Sequence, residues 1–253
     1  MKIISFHLKG KTAHFRRYYA NSSALSYTVP PRTTIIGIIA GLLGKERDSY
    51  YSLFSLEQCN VAVAIRSPIK KIVQKMNLLM IKSLNDLNGY QDNHSQTATE
   101  LIIPQNIRTD ILHYQVWFHH KDERIMDKFD KLMCKGPFYL SKGIALALGT
   151  AFNLGWLEYD SEGIIGEKTF SNDTKYVSSI IPSKKIISLS AAMMNEGQYA
   201  LVKENLPLEF DEARKITENG IGSFIISMDG KPIPAVLDSS VKLSNGDTIV
   251  WME

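Results

Sequence analysis

FHLKGKTAHFRRYYANSSALSYTVPPRTTIIGIIAGLLG, Phe6 to Gly44, is the stretch on which the fold turns. It begins inside an apolar run, Ile3 to Leu8, that reads as a first strand. Lys9 to Tyr27 is polar, basic and aromatic without a clear period, and reads as an ordered loop with a short helix. Pro30-Pro31 then stiffens the chain, and Thr33 or Thr34 is placed to cap a helix with the body IIGIIAGLLG. That helix is apolar on nearly every side, which predicts burial. Gly37, Gly41 and Gly44 form one small-residue stripe along it. Each glycine costs up to about 1 kcal/mol against alanine. The stripe fits tight packing of helix on sheet or the close approach of a backbone or ligand, and Gly44 also fits a helix stop.

The same end of the chain carries the charge. The first 45 residues hold seven Lys or Arg and no Asp or Glu: Lys2, Lys9, Lys11, Arg16, Arg17, Arg32 and Lys45. The whole chain is only +3, so the other 208 residues carry −4. Phe6, Phe15, Tyr18, Tyr19 and Tyr27 lie among these cations. Cations beside flat rings suit single-stranded nucleic acid, the cations for phosphates and the rings for bases.

Moving outward, Val61 to Arg66 (VAVAIR) reads as a strand. Ile69 to Ser83 carries Lys70, Lys71, Lys75 and Lys82 with no acid, and Asp86 to Glu100 is polar and rich in turn formers. Together they read as a long insertion, a mobile arm, either a solvated loop or an RNA-touching element. Leu101 to Ile103 and Ile111 to Phe118 are strand material. Asp122 to Lys135 is an amphipathic helix with Ile125, Phe129, Leu132 and Met133 on one face, ended by Gly136-Pro137. Phe138 to Tyr159 is apolar and punctuated by Gly143, Gly149 and Gly155. The last 90 residues read as β-rich, with hairpin turns at Met228 to Lys231 and Ser244 to Asp247 and one helix over Leu208 to Thr217. The element order implies an α+β fold of the ferredoxin or RRM type: residues 1–160 with the arm at about 67–100, then a smaller β-rich unit over 161–253.

A hydrophobic share of 44% is ordinary for a soluble globular protein. Cys59 and Cys134 are too few for a disulfide framework and read as reduced small hydrophobes. There is no signal-peptide pattern and no apolar run of spanning length, so the expected compartment is the cytoplasm, with no membrane partner. No P-loop, nucleophile elbow or dinucleotide fingerprint is present, and the six histidines lack metal-ligand spacing, so neither cofactor nor metal is expected. Metal-free RNA cleavage needs only a base and a cation or acid, which His14 with Arg16 and Arg17, or Tyr27 with His120 and Lys121, would supply. A third reading makes the basic end a protein interface.

Phe6 to Gly44 resembles the start of the fifth CRISPR-associated protein family, RAMP-type subunits of class 1 guide-RNA effector complexes (Cascade). The resemblance lies in a strand, then A-H-F-R, then L-S-Y-x-x-P-P-R-T-T, then a glycine-rich helix, and is nearest to the type I-B variant. Gly136 to Leu140 with Gly143 and Gly149, Leu206-Pro207-Leu208 with Arg214, and Lys242 to Val250 resemble later family segments in the right order.

The resemblance implies an RRM-like (RAMP) N-terminal domain, a smaller C-terminal β domain and a thumb-like arm. It implies a subunit that binds the 5′ handle of CRISPR RNA and caps the backbone RAMP subunits. Such subunits contact the large subunit and meet target DNA only through the complex. Lys11, His14, Phe15, Arg16, Arg17, Tyr18, Tyr19, Tyr27 and Arg32 are the expected RNA-binding residues, with Lys70, Lys71 and Lys75 as arm contacts. In type I-C systems the family member cleaves precursor RNA with a tyrosine, a lysine and a histidine. Tyr27, Lys121 and His120 are the nearest counterparts, with the Lys-His order reversed.

Overall fold

The computed structural model describes residues 1–20, 23–79, 83–84, 94–134, 146–160 and 164–253. The expected helix stop at Gly136-Pro137, the Gly136 to Leu140 resemblance, Gly143, Lys82 and all of the Asp86 to Asn93 run lie outside them.

The apolar run at the start forms β1 (Lys2–Gly10). Two short strands follow, β2 (Phe15–Arg16) and β3 (Ser26–Tyr27), then α1 (Arg32–Leu42) and β4 (Cys59–Ile65). An inserted hairpin, β5 (Ile69–Leu79) and β6 (His94–Pro104), precedes β7 (Leu112–His120), α2 (Glu123–Met133) and β8 (Gly155–Tyr159). β1 is flanked by β7 and β8, and β4 joins the far side of β7, all antiparallel. The resulting order β8-β1-β7-β4 on a β-α-β-β-α-β path is the ferredoxin-like arrangement. α1 and α2 cover one face, where Phe6, Val63, Phe118, Ile35, Ile39 and Phe129 share one core.

The rest of the chain is β9 (Ile164–Val177), β10 (Ile181–Pro182), β11 (Ile186–Leu189), α3 (Ala191–Gly197), β12 (Leu201–Pro207), β13 (Ile221–Ser227), β14 (Ile233–Leu243) and β15 (Thr248–Ile249). β9 pairs with the start of β1 and with β14, so the main sheet continues into these strands. Val241, Leu243 and Ile249 pack with Ile3, Ala62 and Trp117 on the face away from the helices. β10, β13 and β12 make a separate three-stranded sheet.

Several local expectations change. Lys9 to Tyr27 holds no helix; its order comes from the β2–β3 pair, Phe15 opposite Tyr27 and Arg16 opposite Ser26. α1 starts at Arg32, earlier than a cap at Thr33 or Thr34 implies, behind Pro31 and with no side-chain cap. Gly44, at φ 71°, closes the helix. A Cβ on Gly37 would meet only the Tyr50 hydroxyl, at 3.4 Å, so at that position the stripe serves ordinary packing. The arm is a regular ladder from Ile69 opposite Pro104 to Leu79 opposite His94, because β-branched Thr97 and Thr99 extend the strand well before Leu101. Leu208 to Thr217 forms no helix. Asp211 Oδ1 accepts from Lys215 N, Arg214 turns at φ 58°, and Phe210 bridges Ile216. The Asn245-Gly246 turn does join a hairpin, β14 to β15. Asp229-Gly230 instead carries the chain between two sheets, since β13 and β14 do not pair.

Arg32 locks this assembly. It is 2% exposed. Its Nη1 donates to Leu208 O at 2.9 Å, and its Nη2 to Phe54 O and Ser55 O at 2.9 Å and Cys59 O at 3.0 Å. One planar fork thus ties α1 to the turn before β4 and to the segment after β12. Burial pushes this guanidinium below its ordinary pKa. Arg32→Met would leave those carbonyls without their donor, and we expect a loss of about 3 kcal/mol or more in urea unfolding. Arg32→Lys should recover only part, because an ammonium lacks the fork; an unchanged midpoint in Arg32→Met would refute the lock.

Candidate nucleic-acid interface

The basic segment after β1 divides by burial. His14, Phe15, Tyr27 and Arg32 are each at most 2% exposed. Phe15 packs edge-on to Tyr114 with ring centroids 5.9 Å apart. His14 Nδ1 lies 2.7 Å from Glu100 O. Burial raises the Tyr27 phenol well above its usual range. These four lie inside the fold: the ferredoxin core claims the rings, and Arg32 is the lock described above.

Arg17 and Lys71 are held by one acid. Glu204, on β12 and 8% exposed, accepts from Arg17 Nη2 at 2.5 Å, Thr28 N at 2.8 Å and Lys71 Nζ at 3.4 Å. Glu100 on β6 adds a second tie, accepting from Ser26 N at 2.8 Å. Lys71 Nζ also donates to Ser26 O at 2.8 Å. The guanidinium of Arg17 lies 5.6 Å from the Tyr27 ring and 6.0 Å from the Tyr19 ring, and donates to the Tyr19 hydroxyl at 2.9 Å. The β2–β3 segment, the arm and β12 are therefore joined through two carboxylates.

What remains open to solvent is Lys11, Arg16, Tyr18, Tyr19 and Lys75, with Lys70 half-buried. Tyr18 is 50% and Tyr19 53% exposed, their rings edge to face at 5.1 Å. Arg16 Nη2 donates to Ala20 O at 3.1 Å, which steadies the turn but leaves the charge unpaired among the described contacts. Lys75 lies four residues beyond Lys71, on the same face of the arm. Cationic heads and two exposed rings on an ordered platform suit phosphates and stacked bases.

The alternative catalytic trio is not assembled. His120 is buried, its Nε2 2.9 Å from Leu53 O and its Nδ1 accepting from Asp122 N at 2.9 Å. Lys121 is exposed beside it. Tyr27 sits at the other end of β7: the Tyr114 hydroxyl donates to Thr28 O, and Tyr114 is about 20 Å of strand rise from His120. Among the described residues no group of three or more His, Cys, Asp or Glu is arranged to hold a metal ion. Nor is any described helix long and apolar enough to cross a membrane.

Sequence reasoning missed a histidine relay on the sheet face away from the helices. His113 Nε2 lies 2.9 Å from His7 Nδ1, and His7 Nε2 lies 3.3 Å from Asp160 Oδ1. The period-two placement of His7 and His113 on strands was the available signal. Their pairing depends on register, Lys9 opposite His113, which sequence does not give.

A family model described as CRISPR-associated protein (Cas_Cas5) matches residues 3–118, from β1 through most of β7. No curated protein matches the chain. A CRISPR protein from Archaeoglobus fulgidus, known from its crystal structure, shares the fold at TM-score 0.51 and 10% identity, covering 97% of each chain. A chain of a CRISPR RNA-guided surveillance complex aligns at TM-score 0.48 and 11% identity, over 92% of this chain and 91% of its own.

The relay gives a pH prediction. Burial, then the charges of His7, Lys9 and Arg66, lower the His113 pKa from 6.5 to about 4. Between those values the unfolded chain binds a proton that the folded chain refuses, so stability falls as pH drops through the window. Urea midpoints from pH 7 to 4 should decline in the native chain and decline less steeply in His113→Gln. Parallel curves would show that His113 contributes nothing.

Proposed function

We propose that this chain, a member of the CRISPR-associated Cas5 family through residues 3–118, is a non-catalytic RNA-binding subunit of a type I CRISPR effector complex in antiviral defence. Its ligand is the repeat-derived 5′ handle of CRISPR RNA. One observation carries the reading: acids fix the inner basic residues into a platform, while Lys11, Arg16, Tyr18, Tyr19 and Lys75 are left at its surface. Phosphates take the Lys and Arg heads, and bases stack on the exposed tyrosines. The arm, anchored through Lys71, brings Lys75 on the same face to the RNA. In the type I-B-like arrangement the subunit caps the backbone RAMP subunits, touches the large subunit and meets target DNA only through the complex. The cytoplasm is its place of work. The reading as a metal-independent endoribonuclease is disfavoured by the buried, fully bonded His120 and by its distance from Tyr27.

Fluorescence anisotropy of labelled precursor CRISPR RNA against salt tests this. If about four phosphates are neutralised, log affinity should fall with log salt at a slope near −3, at roughly −0.7 per contact. Arg16→Ala with Lys75→Ala should weaken binding and flatten that slope by about 1.4. The RNA should stay intact in EDTA on a denaturing gel. Salt-independent affinity would overturn the binding reading, and a discrete cut within the repeat would overturn its non-catalytic part.

A further inference from the structure

Beside the platform a cleft of about 750 Å³ opens between the start of α1, the segment after it and the turn after β12. That volume is within the range of small-ligand sites. Two features give it a demand for negative charge. Arg32, 2% exposed, lines it, and the acceptors it meets are neutral carbonyls and the Cys59 sulfur. Its Nε has no partner among the described residues. Glu209, on the same wall, attracts Arg32 through space without a hydrogen bond to it, and accepts from Leu56 N at 2.7 Å and Thr217 Oγ1 at 3.0 Å. The second feature is α1 itself, whose first turn carries no acid and no side-chain cap, with Thr33 and Thr34 facing the cleft. Thr34 N and Ile35 N donate back to Pro31 O, so this helix start offers an anion the N–H groups of Arg32 and Thr33 and the positive end of the helix.

The walls are aromatic. Tyr18 and Phe210 meet edge to face at 6.5 Å, and Tyr50 lies on the α1 side. Tyr18 also belongs to the exposed platform, so cleft and platform are continuous. At the rim Arg214 is held by Asp48 through a two-bond fork, Nε to Oδ1 at 3.0 Å and Nη2 to Oδ2 at 2.7 Å. A flat ring fits the aromatic walls and a phosphate fits the charge at the helix start.

We propose that this cleft is a nucleotide-binding site, with the base among Tyr18, Tyr50 and Phe210 and the phosphate at the start of α1 within reach of Arg214. The same chemistry has two sources, a nucleotide splayed from the bound guide strand or a free nucleoside monophosphate. The first source rests on the RNA-binding reading above; the second does not.

The experiment has two arms on the full chain. In one, AMP, GMP, CMP and UMP are titrated separately while tyrosine fluorescence is followed. In the other, 2-aminopurine is walked along the repeat-derived 5′ segment of precursor CRISPR RNA, and its quenching on binding is read beside total anisotropy. Phe210→Ala and the surface variant Arg214→Gln serve as controls, with melting curves to establish folding. A monophosphate that binds the native chain at least tenfold tighter than either folded variant would identify a free nucleotide. One quenched position, relieved in the variants while overall RNA binding persists, would identify the guide strand. RNA binding with no quenched position and no monophosphate binding would overturn the cleft and leave the platform standing. Monophosphate binding without RNA binding would keep the cleft and remove the platform reading; loss of both would end both.

Discussion

The Glu204 carboxylate is the constraint on which the basic face depends. It is nearly buried, and it meets Arg17, the backbone of Thr28 and Lys71. An isolated carboxylate at such a site would be costly, and two cations with a backbone N–H are what make it tolerable. Three stretches remote in sequence are brought to one point by this satisfaction of charge. Such pairing is weak testimony for raw stability, but it fixes geometry. The geometry here sets the turn bearing Tyr18 and Tyr19 against the arm.

The division of labour among the cations follows from the same constraint. Arg16 and Arg17 are neighbours with identical chemistry. Arg16 keeps an exposed head, while Arg17 is drawn inward to Glu204 and lies over the Tyr27 ring. Lys71 and Lys75 repeat the pattern along the arm, one bound and one exposed. A surface that displayed all of them would repel itself; neutralising the inner members lets the outer ones stand close together.

Much of the fold was legible because its signals were local and periodic. The short apolar, β-rich runs of β4 and β7 and the amphipathic face of α2 predicted those elements, and Asp122 caps α2 by accepting from Arg124 N. Leu208 to Thr217 was misread because helix propensity there yields to one side-chain bond, Asp211 to Lys215, and to the bridge of Phe210 with Ile216. Asp229-Gly230 is a sound turn signal, but sequence does not say which sheet the chain enters next. The candidate site was legible as a place and not as a list of contacts. Composition located the basic, aromatic segment, but burial of Phe15, Tyr27 and Arg32 depends on partners in β7, the 54–59 turn and the segment after β12. The cleft left no local trace, since Tyr50 and Phe210 are 160 positions apart.

The ties to Glu204 and Leu208 also set a timetable. Arg17 leaves the ribosome 187 residues before Glu204, and Arg32 176 residues before Leu208, although the other carbonyl partners of Arg32, at Phe54, Ser55 and Cys59, follow it closely. Pairing over such separations raises contact order and slows folding. During synthesis the basic segment is therefore an unanchored polycation, attractive to any nucleic acid nearby and selective for none. Only after β12 has docked does Arg17 find its carboxylate and withdraw from solvent, leaving a smaller and more sharply shaped set of charges. The final shape of the charged surface is thus acquired at the end of folding, as the nascent chain trades indiscriminate attraction for geometry.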